Sequence, residues 1–318
     1  MTMHERIRFF PISFFAIIMG LSGLSIAVQR AETILGLPGR AGTLLPWMTA
    51  TLFVLLLVMY TVKLIRCTDE VYKELQHPIK LSFFPTISIS IVLLSIAFMA
   101  VQHQLSYVLF LIGAPLHLVL TLFVLSRWID QTSFEVQHSN PSWFIPVVGN
   151  ILVPIAGVEY GLTELSWFFF SIGLVFWLVL MAIIFNRVIF HHPLPEKLLP
   201  TFFILLAPPA VGFVAYVKLT GGVDSFARVL YYFALFIVLL LVALSRKFYG
   251  IKFYLSWWAY SFPVAAISIA SMLMYSKTAI PLFHTLSWVF VVTLVLLITM
   301  LTLKTAKAIL AESICIED

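Results

Sequence analysis

The chain has 318 residues, of which 62% are hydrophobic and only 10% charged, where a soluble domain carries about 25% charged residues. With a mean hydropathy of +1.06, the apolar surplus exceeds what a soluble fold of this length can hide, and the same figures exclude a disordered chain. The balance of 19 Lys+Arg against 14 Asp+Glu, net +5, in so apolar a chain fits flanks facing an anionic leaflet, not a nucleic-acid surface.

A helix needs about 20 apolar residues to cross a bilayer. Ten such runs follow a short N-terminal segment, residues 1–8: Phe9–Val28, Leu45–Val62, Leu81–Val101, Leu105–Leu125, Trp143–Val158, Leu165–Phe185, Leu198–Val217, Val229–Leu244, Phe253–Tyr275 and Ile280–Leu303. Residues 304–318 form a second short tail. The predicted fold is therefore an all-α polytopic membrane protein, with a single transmembrane domain over residues 9–303. The fifth run is the shortest and most broken. Arg6 and Arg8 before the first run resemble the start of a signal peptide, but the run carries Pro11 near its start, has no clean small-x-small cleavage site, and nine more spans follow. The link Thr68–Pro78 reads as an amphipathic surface helix lying on the headgroups, with Val71, Tyr72 and Leu75 opposite Asp69, Glu70, Lys73 and Glu74. Cys67 and Cys315, the two cysteines, are too few and too far apart for a disulfide framework.

An even number of spans puts both termini on one side. Fourteen of the 19 Lys and Arg fall on that side, and five, Arg30, Arg40, Lys218, Arg228 and Lys277, on the other. The positive-inside rule then predicts that both termini are cytoplasmic.

Odd-numbered spans carry proline: Pro11, Pro85, Pro146, Pro208 and Pro263 recur at intervals of 74, 61, 62 and 55 residues, the period of a two-helix hairpin. The strings around four of them are alike, as in Phe84-Pro85-Thr86 and Phe262-Pro263-Val264. Proline within a helix frees a carbonyl, and in a membrane that backbone is tolerated where protein buries it or a wet cavity receives it. The expectation is five hairpins, with proline-kinked odd helices inside around a central pore and even helices outside. Ordinary packing kinks are the competing explanation.

No Asp, Glu, Lys or Arg stands mid-span, whereas ion-coupled pumps keep one there; the pattern points to a passive path. His117 and His284 are lone, and the adjacent His191 and His192 lack the i, i+4 spacing of a zinc site. There is no Gly-rich phosphate loop and no Ser/His/Asp arrangement. The reading is of a non-enzyme with no cofactor and no metal. Asn150, after Gly149, either offers its amide to an anion in the pore or makes an interhelical hydrogen bond.

The string Gly250-Ile251-Lys252-Phe253-Tyr254-Leu255-Ser256-Trp257-Trp258-Ala259-Tyr260-Ser261-Phe262-Pro263 resembles the ninth-helix signature of the slow-type anion channel family, which joins plant guard-cell channels to bacterial tellurite-resistance/dicarboxylate-transporter proteins. Glu74-Leu75-Gln76-His77-Pro78-Ile79-Lys80, Asn140-Pro141-Ser142 with Val147-Val148-Gly149-Asn150, and Leu194-Pro195-Glu196-Lys197 with Ala207-Pro208-Pro209 agree with it. The resemblance implies ten helices as five hairpins, a pore in each protomer, a homotrimer, and small inorganic anions such as chloride or nitrate as the permeating species. A carrier for C4-dicarboxylates or tellurite-related oxyanions is the alternative the family name also covers. It implies that Phe262 is the gate and that Phe15 matches an aromatic of the first inner helix. Ser13, Phe83, Val148, Asn150, Ala207 and Ser261 are the other candidate pore-lining residues. Ser13 stands where a glycine is usual, and Ile151 where a phenylalanine often follows the asparagine; both bear on pore width.

Overall fold

The computed structural model describes residues 3–130 and 134–315, with the side chains of Met3 and His4 excepted. Among these residues nine helical stretches are long and apolar enough to cross a bilayer, and the tenth, Pro141–Gly157, is a shorter apolar helix. The hairpins are α2 (Phe15–Ile34) with α3 (Ala41–Arg66), α5 (Thr86–Phe98) with α6 (His103–Asp130), α7 (Ile145–Gly157) with α8 (Thr163–Phe190), α9 (Ala207–Thr220) with α10 (Ser225–Ala243), and α11 (Ser261–Thr278) with α12 (Pro281–Leu310). Two short helices, α1 (Met3–Arg8) and α4 (Thr68–Gln76), lie outside the spans.

The first helix of each hairpin packs against its neighbours in a closed circuit: α2 on α5, α5 on α7, α7 on α9, α9 on α11, and α11 back on α2. Burial follows this order. In the Lys80–Phe98 stretch 89% of the apolar window is buried, against 33% in its partner His103–Asp130. Every residue of α7 is buried. The outer helices turn large apolar side chains such as Leu55, Leu122, Val179 and Leu296 outward, as a lipid-facing layer must.

Each inner span begins not as an α-helix but as a 3-10 helix: Ile12–Phe14, Lys80–Phe83, Pro141–Phe144, Glu196–Leu206 and Leu255–Tyr260. The marker prolines stand at the junctions. Pro11 immediately precedes the first 3-10 turn, Pro85 immediately precedes α5, and Pro146 and Pro208 are the second residues of α7 and α9. Pro263 is the third residue of α11. The sequence predicted kinks within the helices; the structure puts these five prolines at helix starts instead. The first four N–H groups of a helix have no intrahelical acceptor, so a proline there forfeits no α-helical bond. The 3-10 turns also explain the short fifth span. Four residues at ~2.0 Å and thirteen at ~1.5 Å reach about 28 Å, close to the ~30 Å hydrocarbon core.

The link after α3 also differs from expectation. Instead of only lying on headgroups, α4 buries Val71 and Glu74. The Glu74 carboxylate meets Lys63 Nζ at 3.0 Å and accepts from Tyr60 Oη at 2.8 Å. Lys63 also donates to the Phe10 carbonyl at 2.8 Å, just before Pro11. The Lys63 and Glu74 side chains are 2% and 8% exposed, so a charge pair ties the link to the start of the first inner span. Contacts from Arg6 to the Ile309 carbonyl (3.1 Å) and to Glu312 (3.9 Å) bring the two described chain ends to one face, called the near face below.

Candidate functional site

Two cavities lie on the axis of the ring. The near cavity, about 840 Å³, opens among the 3-10 segments. The far cavity, about 320 Å³, is lined by the five inner helices and by Gly221, which follows α9. Helical periodicity lays the lining in stripes. On the first inner span Ser13, Ala16 and Met19 face the near cavity, and Gly23, Ile26 and Arg30 the far one. On the fourth, Leu198, Thr201, Ile204 and Ala207 recur every three residues along the near cavity, the repeat of the Glu196–Leu206 3-10 helix that carries the row. Val211, Val214 and Val217 then continue along the far one.

Phe262 is the one described residue that lines both cavities. Its side chain is largely buried, with 8% of the residue exposed. It occupies the second position of α11, where the 3-10 turns end at Tyr260 and α-helical bonding begins. A residue before a proline is disfavoured in helical geometry; Phe262 nonetheless lies within α11, and what changes beside it is the hydrogen-bond register. Gly23 lets α2 and α11 approach closely beside the ring: a Cβ there would collide with the Ala265 Cβ at 2.7 Å and stand in ordinary contact, 3.6 Å, with Phe262 Cδ2.

The other candidates divide. Ser13, Phe83, Ala207, Pro11 and Pro263 line the near cavity. Phe15, Val148, Asn150, Ser261, Pro85, Pro146 and Pro208 line neither cavity. Phe15 is wholly buried and meets Phe53 and Tyr60 of α3 edge-on, with centroids 5.9 and 6.1 Å away. Ser261 donates to the Trp258 carbonyl at 2.6 Å and packs on Gly20, where a Cβ would collide with it. The Asn150 amide donates to Thr121 Oγ1 at 3.1 Å and to the Pro146 and Val147 carbonyls, each at 3.2 Å. Its Oδ1 is buried without a partner. His117 is likewise buried, with Nδ1 2.9 Å from Ser88 Oγ and Nε2 unpartnered.

Charge is distributed toward the mouths. Arg8, Lys63, Lys73, Lys80 and Lys197 line the near cavity, against the carboxylates Glu70 and Glu74. Bonds from Arg8 and Lys73 hold the Glu70 carboxyl below the usual carboxylate range. Ser313, Ile314 and Cys315 also line this mouth, and burial pushes the Cys315 thiol up. The far cavity carries Arg30, Lys218 and Lys277 and no carboxylate. Lys63 was missed in the sequence because it sits at the end of an apolar run and reads as an ordinary flank. The every-third-residue row from Leu198 to Ala207 was a usable signal that went unread.

A closed circuit of five hairpins around two axial cavities, with basic residues toward both outer ends, describes a multi-pass helical membrane protein. The family described as voltage-dependent anion channel, SLAC1, matches residues 9–306, and the chain belongs to that family. It is 32% identical over 271 residues to the S-type anion channel SLAH2 of Arabidopsis thaliana, covering 83% of this chain and 52% of the plant protein. It is 30% identical over 296 residues to an uncharacterized transporter of Methanocaldococcus jannaschii, covering 85% of each. It is 26% identical over 271 residues to the tellurite resistance protein TehA homolog of Haemophilus influenzae, covering 83% and 81%. The chain thus spans about half the length of the plant relative SLAH2.

Proposed function

We propose that the protein is a passive channel for small monovalent anions such as chloride and nitrate, closed at rest by the Phe262 ring. The observation that carries this reading is that two axial cavities meet on that single side chain. An ion entering an apolar constriction must shed water with nothing to replace it, so a phenyl ring across a narrow passage is an effective barrier. No charged residue stands beside Phe262 in the sequence to offset that cost. Cations at both mouths favour anions over cations, and the lack of a mid-span carboxylate leaves no evident group for proton coupling. The reading includes a plasma-membrane location with the near face cytoplasmic, and a homotrimer in which each protomer keeps its own passage.

The test is current across a planar bilayer under a chloride gradient. Phe262→Ala should raise anion conductance severalfold or more over wild type, with reversal near the chloride equilibrium potential. Phe262→Val, which keeps more of the packing, should give an intermediate rise. A buried Phe→Ala change costs about 3–5 kcal/mol, so expression and monodispersity are measured alongside. Folded variants with wild-type conductance would remove the gate assignment. Saturable uptake of a C4-dicarboxylate or tellurite-related oxyanion without current would replace the channel by a carrier.

A further inference from the structure

Basic residues are sparse on the far side, and where they stand is informative. Of the five assigned there by charge count, Arg30, Lys218 and Lys277 all line the one far cavity. They arrive from three different inner helices, α2, α9 and α11. The positive-inside rule gives no reason for cations on this side to gather at all, and no carboxylate joins them in the lining.

Nearby acids are engaged, and one of them with Lys218 itself. Glu32 accepts from the Gly42 backbone N–H at 2.9 Å. Asp224 caps α10 through the Ala227 N–H, which with the Tyr216 hydroxyl holds its carboxyl below the usual range. Glu159 pairs with Lys218 at 3.1 Å. Lys277 donates one N–H to the Gly221 carbonyl at 3.0 Å, which leaves two of its three donors. Among the described residues nothing pairs with the Arg30 guanidinium, which stands exposed at the rim. An unpaired guanidinium and a partly free ammonium lining one cavity, whose other lining is largely apolar and includes Phe262, form a cationic mouth able to draw in an anion.

We infer that Arg30, supported by Lys277, forms an anion-capture site at the far mouth, and that it takes planar oxyanions such as nitrate in preference to halides. The inference rests on the proposed channel reading for its place on a pathway. The preference follows from geometry: the guanidinium fork donates two parallel hydrogen bonds to a planar oxyanion, whereas a spherical halide cannot be gripped at two separate oxygens. Capture there concentrates the anion next to the ring and removes part of its water before the constriction.

The experiment uses the Phe262→Ala channel in a planar bilayer, with nitrate or chloride varied on the far side only. Adding Arg30→Gln should raise the half-saturating nitrate concentration severalfold and lower conductance at low nitrate, with the curves converging at high salt as screening takes over. Arg30→Lys should keep chloride saturation near the parent value and bring that of nitrate toward it. Half-saturation within twofold of the parent for both anions in Arg30→Gln would overturn the inference. A Phe262→Ala protein that passes no anion current defeats the channel reading alone. The site is then read by nitrate-dependent thermal stabilisation of the detergent-purified wild type, at constant ionic strength with gluconate. Stabilisation lost in Arg30→Gln supports the site, and no stabilisation of the wild type refutes it.

Discussion

The buried pair Lys63–Glu74 gives a sharp quantitative test of how the first inner span is held. Glu74→Gln keeps an acceptor for Tyr60 but leaves Lys63, 2% exposed, without its counter-charge. Removing one partner of a buried pair costs about 3–5 kcal/mol, much of it the penalty of an uncompensated buried charge. Lys63→Met should cost a similar amount, because it strands Glu74 and also leaves the Phe10 carbonyl, 2.8 Å from Nζ, without that donor. That carbonyl alone accounts for about 1–3 kcal/mol. In Lys63→Met/Glu74→Gln neither charge remains, so the double variant should lose clearly less than the sum of the two, with a coupling of about 2 kcal/mol or more. The assay is equilibrium unfolding of the detergent-solubilised protein in SDS, followed by tryptophan fluorescence, for the four proteins of the cycle. Single losses below about 1 kcal/mol, the range of an exposed pair, or strict additivity, would refute the claim that this pair is a buried tie.

Asn150→Leu removes the amide that binds Thr121 and two carbonyls, so it should lower melting temperature and leave the nitrate-to-chloride permeability ratio of the Phe262→Ala channel unchanged; a changed ratio would place the amide on the path. The Glu70 carboxyl is held low by Arg8 and Lys73. Its stabilising contribution is therefore complete above the ordinary carboxylate value and vanishes as pH falls through its lower folded value. The stability difference between wild type and Glu70→Gln should accordingly close between neutral pH and strongly acid pH, and a difference that persists there would contradict the sign. A cysteine reporter beside Lys277 should react with a membrane-impermeant thiol reagent in intact spheroplasts and one beside Lys252 should not; the reverse pattern would invert the orientation.

Much of this architecture is legible in the sequence because membranes leave few options. Ten apolar runs, short links and a proline in every odd run are enough for five hairpins with an inner and an outer member, and the burial of α5 against α6 follows that order. What the pattern hides is side-chain direction within an inner helix that is buried all round. Phe15 and Phe262 look equivalent as aromatics of inner spans, yet one packs outward on Phe53 and Tyr60 and the other stands between the cavities. Their difference lies in helix rotation, and an apolar stripe carries no phase when every face is apolar. Lys63 and Glu74 are invisible for another reason: each belongs to a flank in the linear sequence, and only the fold of the link brings them together. Arg187, 3% exposed near the end of α8, is another flank cation that the fold buries, here with a hydrogen bond to the His192 carbonyl. The prolines located the junctions correctly but not their nature, since a helix start and a kink draw on the same residue.

The 3-10 stretch Glu196–Leu206 has a mechanical consequence. Its eleven residues reach about 22 Å at ~2.0 Å each, whereas an α-helix of the same residues would reach about 17 Å. The depth of the near mouth is therefore set by hydrogen-bond register as much as by residue count. Two relatives with equal numbers of residues in this stretch can hold their constriction at depths that differ by about one α-helical turn.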